Sequence, residues 1–119
     1  MPVTLTHDEL LDNLVEECAE AIIVVQKIKR FGWESCHPKN PIQLNNELLA
    51  IEMGHVRAVI NKILEMHPHL VGMHSQACKD KIPNAIKWKI VKLENEAKNA
   101  ITTNTTGDPS HRSGTSSIG

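Results

Sequence analysis

The feature that most constrains the fold is a helical repeat of apolar residues close to the start of the chain. Thr6 and Glu9 are spaced as a capping box, the reciprocal side-chain contact that begins many helices. Gly32 stands where a helix end favours a residue that tolerates positive φ. The pattern predicts a first long helix from His7 to about Phe31. Its apolar positions, each three or four residues apart, are Leu10, Leu14, Cys18, Ala21, Val25 and Ile28.

A second repeat follows, and it predicts a helix from about Asn46 to Met66, capped by Asn45 or Asn46 and ended by the His67-Pro68 pair. Its apolar face would carry Leu48, Val56, Val59 and Ile63. The ten residues G-W-E-S-C-H-P-K-N-P between the two repeats contain two prolines and no period, so they predict an ordered loop.

Beyond Pro68 the pattern weakens. A short helix is expected around Ser75 to Lys81, with Pro83 in the first turn of a third helix that covers Asn84 to Ala100. Residues 102–119 are mainly Thr, Ser, Gly, Asn and Pro, which bury too little apolar surface to offset the entropy of ordering. We therefore expect one all-α domain over residues 1–101 and a disordered tail over residues 102–119.

Composition narrows the function classes. The chain has 119 residues, a net charge of −1 and only 3% aromatic residues, which is typical of a soluble helical domain. A chain with no basic excess is not expected to bind nucleic acid or a membrane surface. Three cysteines cannot pair completely and no leader segment is evident, so the cytoplasm is the expected location. Cys18, on the apolar stripe, is expected to be a packing residue.

Carboxylates interrupt both apolar faces. On a helical projection Glu17 falls inside the first stripe with Glu20 at its edge, and Glu52 falls near the centre of the second face with His55 beside it. Removing an ionised carboxylate from water is unfavourable unless the group is paired, protonated or bound to a metal. Three acids between two helices therefore predict a divalent cation site.

The projection leaves an alternative open. The acids of the two helices would then face a groove or a subunit boundary and would be neutralised by Lys27, Arg30 or Arg57.

The strings L-V-E-E-C-A-E-A-I-I-V-V-Q-K-I-K-R-F-G and N-N-E-L-L-A-I-E-M-G-H-V-R-A-V-I-N-K resemble the MazG-like branch of the all-α nucleoside triphosphate pyrophosphohydrolases. They are most similar to the small versions found in bacteriophages. The family pattern is E-x-x-E on one helix and E-x-x-D on the next. Glu17 and Glu20 match the first pair, Glu52 matches the third acid, and His55 stands at the aspartate position. The resemblance covers residues 10–62.

This resemblance implies a helical bundle, built on a hairpin of two long helices plus a C-terminal helix, that assembles as a homodimer or homotetramer. It implies a Mg²⁺-dependent enzyme, in the host cytoplasm if a phage encodes it. Such an enzyme cleaves a nucleoside triphosphate into a monophosphate and pyrophosphate. The implied metal ligands are Glu17, Glu20, Glu52 and His55, and the three glutamates are also the implied catalytic residues, with Glu16 as a further candidate to orient the water. The candidates for substrate binding are Lys27, Arg30, Asn61 and Lys62.

Apolar residues outside the main stripes also predict a partner subunit, because one short third helix could not cover them all. These residues are Ile22, Ile23, Leu49 and Ile60.

His55 is the departure from the family pattern. An imidazole in place of a carboxylate removes one negative charge and favours Mn²⁺, Co²⁺ or Zn²⁺ over Mg²⁺. Two alternatives to hydrolysis follow: a catalytically lapsed protein that sequesters nucleotides, and a helical interaction module whose acids are structural. The histidines and cysteines elsewhere lack the C-x-x-C spacing of structural zinc motifs, so no dedicated zinc site is expected there.

Overall fold

The computed structural model describes residues 2–106, with side chains described up to residue 101. Helices dominate this part of the chain, which confirms the all-α prediction. The elements in chain order are α1 (His7–Phe31), β1 (Cys36–His37), β2 (Asn40–Leu44), α2 (Asn45–Met66), a 3-10 turn (Pro68–Leu70) and α3 (Val71–Thr106). From residue 107 onward the predicted tail lies outside the described residues.

The chain divides into two compact units, Met1–Val71 and Gly72–Gly119. The first holds α1, the two strands, α2 and the 3-10 turn, and the second holds α3 from Gly72. The candidate site lies entirely in the first unit.

The predicted bounds of α1 are confirmed at both ends. The Thr6 hydroxyl accepts a hydrogen bond from the Glu9 N–H at 3.2 Å, and the Glu9 carboxylate accepts one from the Thr6 N–H at 2.8 Å. At the other end Gly32 has φ 113°, in the region that favours glycine, and its N–H donates to the Ile28 carbonyl at 2.8 Å. Local side-chain chemistry is therefore sufficient to start and stop this helix.

The segment between the long helices, predicted as an ordered loop, contains a β-hairpin of two short strands. β1 and β2 pair antiparallel with a bulge between Cys36 and His37. The Lys39 N–H donates to Nδ1 of His37 at 3.0 Å across the turn. Pro41 is tolerated in β2 because a two-stranded sheet leaves each strand with one unpaired edge. The strands are too short for periodicity to reveal them.

The start of α2 also differs from the prediction that Asn45 or Asn46 is its cap. Leu44 is the N-cap, and its N–H donates to the Glu47 carboxylate at 3.0 Å. Asn45 is buried, and its Nδ2 donates to the Gly32 carbonyl at 3.3 Å. Its backbone N–H donates to the Ser35 carbonyl at 2.8 Å. The asparagine ties the start of α2 to the end of α1 and does not cap a helix.

α1 packs against α2. Leu10 is 1% exposed and Val24 is 7% exposed, and they form the most buried part of the contact. Four α2 residues predicted for the apolar face are half-buried, and so are Leu49, Ile60 and Leu64; the four are Leu48, Val56, Val59 and Ile63.

The stripe of α1 agrees with the predicted one at Leu10, Leu14, Ala21 and Ile28, which are buried or half-buried, and differs at two positions. Cys18 and Val25 are exposed, which corrects the expectation that Cys18 packs in the core. Residues 17 and 24 are buried or half-buried, whereas residues 18 and 25 are exposed. The reason is that a helix with 3.6 residues per turn returns to the same face after alternating steps of three and four residues. Glu17 thus occupies a position that an apolar residue would fill in an ordinary helix pair.

α3 is one continuous helix of 36 residues, not a short helix followed by a second one. Pro83 lies inside it and not in its first turn. Proline removes one backbone hydrogen bond from a helix, and helix-forming neighbours on both sides allow the helix to continue. All described side chains of α3 are exposed.

The helices in the part of the chain that the structure describes do not combine the length and apolar character that crossing a bilayer requires.

Candidate metal centre

Four chemically active side chains from the two packed helices meet at one point. Glu17 and Glu20 come from α1, and Glu52 and His55 come from α2. One carboxylate oxygen or imidazole nitrogen from each of the four lies within 4.8 Å of the others. Spacings of three residues place each pair on one face of its helix, and helix packing brings the two pairs together. The structure therefore assembles all four metal ligands that the resemblance implies.

The imidazole of His55 lies between two of the acids. Its Nδ1 is 3.2 Å from Oε2 of Glu17 and 3.4 Å from Oε2 of Glu52. In the described residues this imidazole, and not Lys27, Arg30 or Arg57, is the basic group that contacts the two carboxylates. A protonated His55 neutralises part of the negative charge of the cluster, whereas a neutral His55 offers a nitrogen ligand.

Two oxygens in the cluster lack a hydrogen bond. Oε2 of Glu17 and Oε2 of Glu52 are inaccessible to solvent, and their contacts with Nδ1 of His55 do not have the geometry of a hydrogen bond. Buried acceptors are normally satisfied, and an unsatisfied one on a charged group is unfavourable. A divalent cation supplies the missing interaction, because carboxylate oxygens are the preferred ligands of Mg²⁺ and Mn²⁺. The residues present therefore fit a bound cation.

Electrostatics at Glu20 lead to the same conclusion. The Glu17 carboxylate, followed by that of Glu52, raises the pKa of Glu20 above its ordinary value of 4.5. Desolvation and a hydrogen bond with Glu52 act in the same direction, and Glu16 adds a smaller repulsion. Acids that repel one another this closely bind a cation more strongly than isolated acids do, because the cation relieves their repulsion.

A cavity of about 530 Å³ lies beyond the cluster, at the end of α1. Lys27 lines it, seven residues after Glu20 and therefore about 10 Å farther along the helix. A cavity of this size is in the range of small-molecule sites. Lys27 is the one predicted substrate-binding residue that lines this cavity. Its other lining residues are Phe31, Ser35, Cys36, His37, Pro38 and Asn45.

The remaining predicted substrate-binding residues lie elsewhere. The Arg30 guanidinium lies over the Phe31 ring, 5.5 Å from the ring centre. Lys62 pairs with Glu65 at 3.5 Å, and Asn61 is exposed beside it. Positions 61 and 62 are about ten residues, or roughly 15 Å, along α2 from Glu52. The structure does not bring these three side chains to the acid cluster.

Sequence reasoning missed the contribution of the hairpin. Ser35 donates to the Phe31 carbonyl, and Asn45 closes the cavity from the side of α2. No local pattern marks these residues, because their roles depend on hydrogen bonds between segments that are distant in sequence. The G-W-E-S-C-H-P run, which lacks a helical period, is the one signal that the segment adopts a specific non-helical structure.

Comparison of the chain with profiles of known protein families, with curated protein sequences and with solved structures gives no match. The function is therefore argued from the geometry of the cluster together with the motif resemblance described above.

Proposed function

We propose that this chain is a metal-dependent nucleoside triphosphate pyrophosphohydrolase that releases a nucleoside monophosphate and pyrophosphate. The observation that carries the proposal is the convergence of Glu17, Glu20, Glu52 and His55, with buried, unsatisfied oxygens on two of the acids. The resemblance to the MazG-like family supplies the reaction class, since its motif acids are the ones that converge.

In this proposal Glu17, Glu20 and Glu52 hold Mg²⁺ or Mn²⁺, and His55 is a fourth ligand or a neighbour that sets the charge. When bound, the cation neutralises phosphate oxygens and lowers the pKa of a coordinated water. One of these acids, or Glu16, would orient the attacking water.

Lys27 and the cavity beside it extend the site along α1. The Lys27 ammonium group comes from a position about 10 Å along α1 from Glu20. It therefore lies within reach of a substrate whose phosphates bind at the cluster. The Lys27 ammonium would bind a phosphate oxygen, and the apolar walls around Phe31 and Pro38 would exclude water from the rest of the substrate.

The proposed assembly is a helical bundle in which α1 and α2 form a hairpin and a second copy covers the exposed apolar surface beside the site. Ile22 is 62% exposed and Met53 is 55% exposed, and both border a shallow depression with Cys18 and Val56. Analytical ultracentrifugation of Ile22→Glu against the unmodified chain tests this. A dimer or tetramer that the substitution dissociates supports the arrangement, and a monomer in both refutes it.

The deciding experiment is a pyrophosphate-release assay on a panel of ribo- and deoxyribonucleoside triphosphates with Mg²⁺ or Mn²⁺. Glu52→Gln keeps the shape of the side chain and removes the charge, so release should fall at least about 100-fold. Glu94→Gln, the same change at an exposed position of α3, is the matched control and should keep full activity.

Each outcome is informative. Release that Glu52→Gln abolishes and Glu94→Gln preserves supports the enzyme. Absence of release with both metals rejects hydrolysis for the panel, and equilibrium dialysis with the same nucleotides then separates a nucleotide-sequestering protein from a chain that does not bind nucleotides.

The contacts of His55 favour a second candidate, the helical interaction module. A protonated imidazole 3.2 Å and 3.4 Å from two carboxylates forms a charge-paired contact between α1 and α2 without any metal. In that case His55→Gln lowers stability through the loss of these two contacts, and divalent cations leave the melting temperature unchanged. A melting temperature that rises with Mg²⁺ or Mn²⁺ contradicts this second candidate.

A further inference from the structure

Three histidines lie near one another at the end of the first unit that lies away from the acid cluster, where the His67 ring contacts the rings of His7 and His69. His7 is the first residue of α1, His67 follows the last residue of α2, and His69 lies in the 3-10 turn. His7 precedes Glu17 by ten residues, about 15 Å along the helix. The three imidazoles are therefore separate from the proposed metal centre, and the proposed function does not use them.

From this arrangement we propose a second metal site, formed by His7, His67 and His69, that binds a transition metal such as Zn²⁺. The ring centres of His7 and His67 are 5.0 Å apart, and those of His67 and His69 are 6.0 Å apart. Two imidazoles on one tetrahedral Zn²⁺, with metal–nitrogen bonds of about 2.0–2.1 Å, have ring centres about 5 Å apart. The spacing of the first pair, whose rings lie edge to face, is compatible with two ligands of one metal ion, and a turn of the His69 ring would bring in the third nitrogen.

A buried polar atom without a partner marks the same place. Among the described residues three buried side-chain oxygens or nitrogens lack a hydrogen bond: two belong to Glu17 and Glu52, and the third is Nε2 of His67. An imidazole nitrogen buried in this way is unfavourable unless another group binds it. The neighbouring polar groups are again imidazoles, so a metal ion is the partner that satisfies several of them together.

The backbone holds two of the three residues in place. The His67 N–H donates to the carbonyls of Ile63 and Leu64 at 3.0 Å and 3.2 Å, which fixes it at the end of α2. The Leu70 N–H donates to the His67 carbonyl at 3.0 Å and closes the turn that carries His69. His69 is exposed, so its ring can turn toward the pair without displacing packed groups.

The donor set distinguishes this site from the acid cluster. Three imidazole nitrogens favour Zn²⁺, Ni²⁺, Cu²⁺ or Co²⁺, whereas three carboxylates favour Mg²⁺ or Mn²⁺. A zinc ion there would join the start of α1, the end of α2 and the turn, and would stabilise the first unit against unfolding.

The test is calorimetric titration of the full chain with Zn²⁺ alone, after a chelator has removed bound metal. The titration uses the Glu17→Gln/Glu52→Gln background, so that the acid cluster contributes no binding. We expect one equivalent of Zn²⁺ per chain with a dissociation constant in the micromolar range or below. His7→Gln and His69→Gln should each weaken binding by at least about tenfold.

The control is His74→Gln, which removes an exposed histidine that lies 3.8 Å from the Cys78 thiol on α3. It should leave the affinity unchanged. If instead His74→Gln abolishes binding and His7→Gln does not, the metal binds at α3 and the proposal is wrong. Absence of stoichiometric binding in the background variant also overturns it.

A second measurement does not depend on how the variants fold. Nitrogen-detected imidazole spectra of the unmodified chain should show Zn²⁺-induced shifts at three histidines, which side-chain resonance assignment of the same chain places at positions 7, 67 and 69. Shifts confined to His55 would overturn the proposal, because they would place the zinc in the acid cluster.

Discussion

The substitution His55→Asp is the most informative single change at the candidate metal centre. It places a carboxylate where the pattern that the chain resembles has aspartate, adds one negative charge and removes the imidazole that contacts Glu17 and Glu52. Without metal this change should destabilise the first unit. Mg²⁺, in contrast, should stabilise the variant more than it stabilises the unmodified chain.

The magnitude follows from the geometry. The His55 side chain is 53% exposed but the Oε2 atoms of Glu17 and Glu52 are inaccessible to solvent, so the dielectric constant of water gives a lower bound on the repulsion. A carboxylate there would lie roughly 5 Å from the oxygens of Glu17 and of Glu52, and two unit charges at about 5 Å in water repel by about 0.8 kcal/mol. The two repulsions together cost about 1.5 kcal/mol, which lowers the melting temperature by roughly 5–10 °C.

Bound Mg²⁺ should reverse the loss of stability that His55→Asp causes in the metal-free chain. At a concentration about 100 times its dissociation constant, a ligand that binds only the folded chain contributes about 2.7 kcal/mol. The variant gains an oxygen ligand, so Mg²⁺ should raise its melting temperature more than that of the unmodified chain. Pyrophosphate release with Mg²⁺ should also increase.

The assay is thermal unfolding at low ionic strength, with and without Mg²⁺. His74→Asp makes the same chemical change at an α3 residue that is not a member of the acid cluster, and it should show neither the loss of stability nor the larger response to Mg²⁺. The reasoning is refuted if His55→Asp melts at the unmodified temperature without metal, because the four side chains then do not converge. It is also refuted if Mg²⁺ stabilises both chains equally.

Three further changes test the packing, the electrostatics and the long helix. Leu10→Ala should lower the free energy of unfolding by about 2–5 kcal/mol in urea denaturation, because Leu10 is 1% exposed, whereas Leu11→Ala should cost far less. The pKa of Glu20 is raised, chiefly by Glu17, so the metal-free folded chain holds a proton that the unfolded chain has released. The free energy of unfolding should therefore fall as pH rises from about 4.5 through the raised pKa of Glu20. Glu20→Gln should flatten that part of the plot of urea midpoint against pH. An unchanged plot contradicts the assignment of this proton to Glu20. Pro83→Ala should stabilise α3 by about 3 kcal/mol and increase the helical circular dichroism signal, and no increase would indicate that the helix is interrupted at residue 83.

Local periodicity was sufficient to predict α1 and the inward position of Glu17. The capping contacts of Thr6 and Glu9 span three residues, and the apolar stripe depends only on steps of three and four. Glu52 follows from the same argument on α2. Contacts and patterns that span only one or two helical turns can be predicted without knowledge of the rest of the fold.

The failures have a common cause in longer-range structure. Asn45 has the chemistry of a helix cap, but its side chain donates to a carbonyl thirteen residues earlier, a contact that no local pattern encodes. Cys18 was assigned to the core because a step of four residues from Leu14 fits a helical repeat as well as a step of three does. A difference of one residue turns the side chain by about 100° around the helix axis. Pro83 was taken as a helix start because proline is common there, although a proline inside a long helix is also tolerated.

The hydrogen bonds at the base of the hairpin set the rotational phase of α2 relative to α1. Asn45 and Asn46 donate to carbonyls of residues 32, 33 and 35, so the turn at which α2 begins is fixed by the end of α1. One residue inserted between Asn46 and Glu52 would turn Glu52 about 100° away from Glu17. An insertion between Pro38 and Lys39, at the hairpin tip, lies outside this clamp and leaves the phase unchanged. The tip is therefore the place where the chain can lengthen, or carry a grafted segment, while its acids stay aligned.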